Sequence, residues 1–265
     1  MTETFSVTAA LLDELVAATR ETGELILARP RPMPARTMAE FRRNFAEVEH
    51  AAEPGLRARL AAIRPGVEWT DEFDIDLVAG EQRWLADITD GAIQYLQGLP
   101  QWCVSVTLLH DRQAVAAVLH NPVSAETYSA AAGLGAFRDG EPITPSVKTD
   151  LAIALGATSQ PPFVATQPAA VAAAGPALSA ALPAVGAVRN FGPTSWQVAE
   201  VGGGRLDAFW QFGRDEGNLL GATLIAREAG ATVTDVAGEP WRPGSDSVLV
   251  AAPALHGELR GLLAG

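Results

Sequence analysis

Apolar positions recur at helical spacing between Ser6 and Ala28. Leu11, Leu12, Leu15, Val16, Ala18, Leu25 and Ile26 predict one amphipathic helix there. Pro30, Pro32 and Pro34 make the stiff loop that ends it. A second helical pattern, on Phe41, Phe45, Val48, Ala52, Leu56, Leu60 and Ile63, spans Ala39 to Ile63. Pro54-Gly55 predicts a kink or a break inside that span. The period then changes. Val67 to Trp69, Trp84 to Ala86, Trp102 to Leu109, Ala114 to Leu119 and Thr127 to Ala132 are apolar or β-branched runs of strand length. His110-Asp111-Arg112-Gln113 reads as a hairpin turn, with His110 and His120 as ordinary edge or turn residues. Gly133 to Phe137 adds a strand and Asp139-Gly140-Glu141-Pro142 a turn. Several antiparallel strands in a row indicate α+β layering, not alternating βαβ units.

Lys148 to Leu151 reads as a joint, dividing the chain into residues 1–148 and 149–265. Beyond it, strands are predicted at Leu155 to Thr158, Val185 to Arg189, Arg205 to Phe212, Thr232 to Val236 and Val248 to Ala251. Helices are predicted at Pro168 to Leu182, Asn218 to Ala229 (ended by Gly230) and Pro253 to Leu263. Another runs to Val201 with Pro193 as its first residue. Gly202-Gly203-Gly204 follows no strand and lacks the G-x-G-x-x-G register, so no dinucleotide fingerprint is present.

Composition narrows the function classes. The 265 residues carry 31 acids against 19 bases, a net charge of −12, and Lys148 is the single lysine. A nucleic-acid binder needs a basic stripe, so no nucleic-acid partner is expected. A small phosphorylated substrate stays compatible, because a bound divalent metal inverts the local field. Cys103 sits in an apolar run and reads as a buried thiol, and one cysteine permits no intrachain disulfide. No signal pattern or transmembrane run is seen, which makes a cytoplasmic protein with no membrane partner the default expectation.

The stretch Trp84-Leu85-Ala86-Asp87-Ile88-Thr89-Asp90-Gly91-Ala92 carries the candidate chemistry. A strand ending at Asp87, a tight turn with Asp90 and a helix opening at Gly91 would join hard carboxylate oxygens to free helix amides. Mg²⁺ takes the former and phosphate the latter. The alternative is that Asp87 and Asp90 merely cap the helix, and the segment alone favours that cap. Asp71 or Glu72, in the acidic loop Thr70 to Asp76, offers a further metal ligand or a solvated turn. Most of Glu40, Glu47, Glu49 and Glu53 read as solvated, with room for one at the site. Asp74-Ile75-Asp76 has an Asp-x-Asp spacing, but acids precede it where a haloacid-dehalogenase-type phosphatase has a long apolar strand.

Taken in order, these pieces resemble the inositol monophosphatase family. The stretch at 84–92 is similar to its Asp-Pro-Ile-Asp-Gly-Thr signature, and Thr70-Asp71-Glu72 to its Gly-Glu-Glu. Gly133 to Ile143 looks like its Gly-Ala-Phe-x-Asn-Gly hairpin, and Gly204-Arg205-Leu206-Asp207 like its Gly-Arg-Leu-Asp strand. Asn218-Leu219-Leu220-Gly221-Ala222 through Arg227-Glu228-Ala229-Gly230 resembles Trp-Asp-x-Ala-Ala…Glu-Ala-Gly-Gly. The resemblance covers nearly the whole chain. It implies a layered αβαβα sugar-phosphatase sandwich, a homodimer and Mg²⁺-dependent hydrolysis of a phosphomonoester. Asp71, Asp87 and Asp90 would be catalytic metal ligands with the Thr89 carbonyl, and Gly91 and Ala92 would offer amides to phosphate. Glu49 aligns with an acid near a third metal. Loops around Ser159, Arg189, Thr194 and Gln211 would choose the substrate, with Asn218 beside them.

Departures from the family pattern open a second class. Asp71 is one methylene shorter than the family's Glu and reaches about 1.5 Å less far. Ala92 replaces the signature threonine, Asn218 the second-motif aspartate, Gln211 a substrate-binding acid and Pro193 a serine or threonine. The chain is therefore expected to be either an active phosphatase with altered metal occupancy and substrate, or an impaired homologue that binds a ligand or partner without turnover.

Overall fold

The computed structural model describes residues 7–70, 72, 73, 75 and 79–265. Asp71, Asp74 and Asp76 of the acidic loop lie outside the described residues.

Helix α1 (Ala9–Leu27) is capped by Thr8, whose hydroxyl accepts the Leu11 N–H at 3.2 Å, and α2 (Met38–Ile63) by Thr37 in the same way. Of the two outcomes expected at Pro54, a kink or a break into two helices, the break does not occur: α2 runs through it. Pro54 and His50 are both exposed, so the carbonyl that loses its helical partner faces water.

Seven strands follow in sequence: β1 (Glu68–Thr70), β2 (Gln82–Asp90), β3 (Cys103–His110), β4 (Gln113–Asn121), β5 (Glu126–Ala131), β6 (Gly135–Arg138) and β7 (Glu141–Pro142). They form one sheet in that order, with β1 parallel to β2 and every later pair antiparallel. The short helix α3 (Ala92–Gln97) leaves β2. His120 is buried on the interior strand β4, with Nδ1 3.0 Å from the Thr127 hydroxyl, and so is not an edge residue.

The second sheet contains β8 (Leu155–Thr158), β9 (Ala187–Arg189), β10 (Ala208–Phe212), β11 (Thr232–Thr234) and β12 (Ser247–Ala251), in the order β11-β12-β10-β8-β9. Its helices are α4 (Pro168–Ala181), α5 (Thr194–Gly202), α6 (Glu216–Ala229) and α7 (Pro253–Leu263). Pro193 is the cap of α5, one position ahead of its expected place as first helical residue.

Three hydrophobic cores stack these elements as αβαβα. Leu15, Ile26, Leu56, Leu60, Trp84 and Val106 join α1 and α2 to the first sheet. Leu85, Leu119, Val198, Phe209, Ile225 and Val250 join both sheets through α5 and α6. Trp210, Leu249, Ala177 and Leu255 join the second sheet to α4 and α7. Trp84 and Leu85 therefore face opposite layers, as successive strand residues must. Gly221 lets α6 lie close on β3, because a Cβ there would come within 2.2 Å of Thr107 Oγ1. Lys148 donates to buried Asp207 at 2.7 Å.

Candidate active site at the end of β2

Strand β2 does not stop at Ala86. It continues through Asp90, and between Asp87 and Asp90 its register against β3 shifts. Asp87 pairs with Ser105 and Asp90 with Cys103, so three steps along β2 oppose two along β3. One extra residue is a bulge. In a regular strand a spacing of three would put the two acids on opposite faces. The bulge restores a common parity, so both follow Leu85 toward the middle layer. Gly91 closes the strand at φ +89, where a Cβ would lie 3.0 Å from the Gln101 carbonyl oxygen. It is the cap of α3, which has no side-chain cap bond, so the capping alternative for the two acids is not what forms.

Each acid has defined surroundings. Asp87 Oδ1 accepts the Thr89 N–H at 2.9 Å. Buried Asp90 accepts from the Ser195 hydroxyl on α5, and the Cys103 thiol lies 3.7 Å from the same Asp90 oxygen. Cys103 is fully buried, as its apolar surroundings in sequence predict. Burial pushes Asp87 well above the usual carboxylate range, and the charges of Glu72, Asp90 and Glu49 push it further. Its carboxyl also shares a hydrogen bond with that of Glu72. Burial lifts Asp90 to about 7, against the lowering by Ser195 and with the help of the Asp215 charge. Glu49, on α2, is lifted to about 7 by burial, with Thr89 opposing and Glu53 adding to the shift.

Asp215, just before α6, had no place in the sequence reading. It is buried and holds a network together. The Thr194 hydroxyl donates to Gln211 Oε1 at 3.1 Å, Gln211 Nε2 donates to Asp215 Oδ2 at 2.8 Å, and Asn218 Nδ2 donates to Asp215 Oδ1 at 2.6 Å. Burial lifts Asp215 to about 6 while Gln211 and Asn218 hold it down. The signal available in sequence was an acid three residues, about one helical turn, ahead of the neutral Asn218.

Of the residues picked out by sequence, Asp87, Thr89, Asp90, Gly91 and Ala92 are contiguous at the end of β2. Thr194, Gln211 and Asn218 join them through Asp215 and Ser195. Arg189 is not drawn in: it is exposed on β9 and donates to the Val188 carbonyl at 2.8 Å. Asp71 lies outside the described residues, and its neighbour Glu72 is the loop acid that meets Asp87.

Among the described residues, no three of Asp, Glu, His and Cys stand as a finished cation-ligating group. The donor chemistry nevertheless suits a hard dication. Oxygen donors dominate, and the neighbouring groups whose charges raise Asp87 are all acids.

The profile of the inositol monophosphatase family matches residues 11–264. A probable inositol 1-monophosphatase, ImpA, of Mycobacterium tuberculosis (strain ATCC 25618 / H37Rv) is 31% identical over 218 residues, 82% of this chain and 80% of its own. A protein of Pseudomonas aeruginosa named Nus factor SuhB is 28% identical over 234 residues, 86% of each chain. The solved inositol monophosphatase of Anabaena (Nostoc) sp. PCC 7120 has the same fold, with a TM-score of 0.81 over 96% of this chain and 95% of that one at 22% identity.

Proposed function

Because the chain belongs to the inositol monophosphatase family, we propose that it is a Mg²⁺-dependent phosphomonoester hydrolase acting on a small phosphorylated polyol, sugar or nucleotide. The observation that carries this reading is the β2 bulge, which turns Asp87 and Asp90 to one side beside Glu72 and Asp215. Asp87, Asp90 and the Thr89 carbonyl would hold the cation, with Glu72 and Asp215 flanking them and Asp71 retained from the family resemblance. Bound there, Mg²⁺ would supply Lewis acidity toward a phosphate oxygen and lower the pKa of a water.

The chain's own groups do the rest. Asp87 and Glu72 share a hydrogen bond between their carboxyls, burial favours the protonated form of Asp87, and dication binding would compete with that proton. Ser195 fixes the Asp90 carboxylate, and the Thr194–Gln211–Asp215 chain fixes the acid beside it. Gly91 and Ala92 would offer backbone amides to phosphate. Asp215 is proposed to return the negative charge that Asn218 lacks. The family resemblance also brings a homodimer to the proposal, and the cytoplasm is its compartment. A net charge of −12 favours a small substrate over nucleic acid, whatever the name of the Pseudomonas relative implies for that protein.

A second reading has its own support. Ala92 carries no hydroxyl and the Asn218 amide is committed to Asp215, which favours a homologue that binds without turnover. Phosphate release from a panel of inositol, sugar and nucleotide monophosphates separates the two. Mg²⁺-dependent release that disappears in Asp90→Asn is the expected result. No release from any ester, with activity gained in Asn218→Asp combined with Ala92→Thr, would establish the second reading instead.

A further inference from the structure

A cleft of about 760 Å³ opens beside the acids. Glu72, Asp215 and Asn218 are among the residues that line it, and through Glu72 and Asp215 it meets Asp87 and Asp90, which do not themselves line it. Its apolar lining includes Phe73, Pro162, Phe163, Ala170 and Phe212. Phe73 and Phe163 come from separate loops and meet edge to face, with centroids 5.1 Å apart. They are nonetheless 57% and 64% exposed, an unfavourable placement for phenyl rings in water. Phe163 also sits at φ +49, a backbone state that non-glycine residues avoid.

The polar side chains on this wall already have partners. Gln167 donates to the Pro162 carbonyl at 3.0 Å and accepts the Arg214 N–H at 2.7 Å. Arg214 pairs with Asp246 at 3.0 Å, and the Thr166 hydroxyl donates to the Phe163 carbonyl at 2.8 Å. Glu216 accepts the Gly244 N–H at 2.8 Å. A polyol laid here would set its hydroxyls against phenyl and pyrrolidine surface and lose hydrogen bonds to water. A planar ring offers its apolar face to these side chains, so it loses fewer hydrogen bonds and gains aromatic contact.

Resting on the phosphatase reading above, we propose that the substrate's alcohol carries a planar aromatic or heteroaromatic ring, which packs against the Phe73–Phe163 pair while its phosphate reaches the acids. The pair is thus a specificity device for ring-bearing phosphomonoesters. The test uses probes that cannot be hydrolysed: 3-phenylpropylphosphonate and 3-hydroxypropylphosphonate, titrated calorimetrically into the full chain with Mg²⁺. The phenyl probe is expected to bind about tenfold tighter. Phe163→Ala and Phe73→Ala should each erase most of that ratio, and Phe163→Trp should keep it. Should one alanine variant fail to fold, the other still decides. Equal binding of the two probes, or a ratio unchanged in the folded alanine variants, would overturn the proposal. Binding is read here without turnover. Absence of phosphate release from every ester therefore counts against the phosphatase reading alone, and equal probe affinities count against the ring pocket alone.

Discussion

Asp215 is anchored by two amides, Gln211 Nε2 and Asn218 Nδ2, and its charge is one of the causes that raise Asp90. Removing it tests whether it stands in for the missing aspartate at 218. Asp215→Asn is expected to weaken Mg²⁺ affinity by about 10–100-fold, the scale for groups that support a metal site. Titration calorimetry measures this. An unchanged affinity would make Asp215 a purely structural acid. Ser195 offers a second test, because its hydroxyl holds Asp90 down against burial. In Ser195→Ala the Asp90 carboxyl is expected to rise further, and the pH midpoint of Mg²⁺ binding to move up with it. At this scale the family resemblance singled out Asp87, Asp90, Gln211 and Asn218, which the fold brings into one neighbourhood. Asp215 and Ser195 were not readable, because their roles come from α5 and α6 meeting β2 across the middle layer. No local spacing records that meeting.

The element on which the site depends is the bulged end of β2 with the Gly91 corner. Gly91→Ala must hold φ near +89 with a Cβ 3.0 Å from the Gln101 carbonyl oxygen. The expected cost is roughly 2 kcal/mol, from the left-handed backbone and the close contact together. Urea denaturation should show that loss with an unchanged slope. A neutral substitution would mean the corner is not as tight as described. The close approach of α6 to β3 is equally checkable. Gly221→Leu is expected to cost on the order of 1–3 kcal/mol through overpacking against Thr107 and Ala117. Amphipathic helices and apolar strands were legible because burial imposes their periods, as in α1, β8 and α7. The misreadings fall where tertiary context decides. Two helices do not form at Pro54 because its face is wet and α2 stays continuous, and β2 runs past two acids because the middle layer receives them both.

On the scale of the whole molecule, the αβαβα stack buries Asp90 and Asp215, and partly buries Asp87, between its layers. Their raised pKa values, with that of Glu49, set a pH dependence. Carboxyls with folded-state pKa values above the unfolded ones bind more protons in the folded protein. Their contribution to stability is complete below about pH 4 and is lost as pH rises through about 7. Chelator-treated protein should therefore melt at a lower temperature at about pH 8 than at about pH 5, and Mg²⁺ should recover the difference at the higher pH only. The α+β layering was legible from the order of helices and strands, and the αβαβα sandwich from the family resemblance. The acidic interior was not, because a charge count says nothing of where charges lie. Titration calorimetry with Mg²⁺ at about pH 7.5, run in two buffers of different protonation enthalpy, addresses the central claim most directly. The account predicts binding at millimolar Mg²⁺ or below with release of protons, abolished in Asp90→Asn. Absence of binding, or binding without proton release that survives in Asp90→Asn, would contradict it.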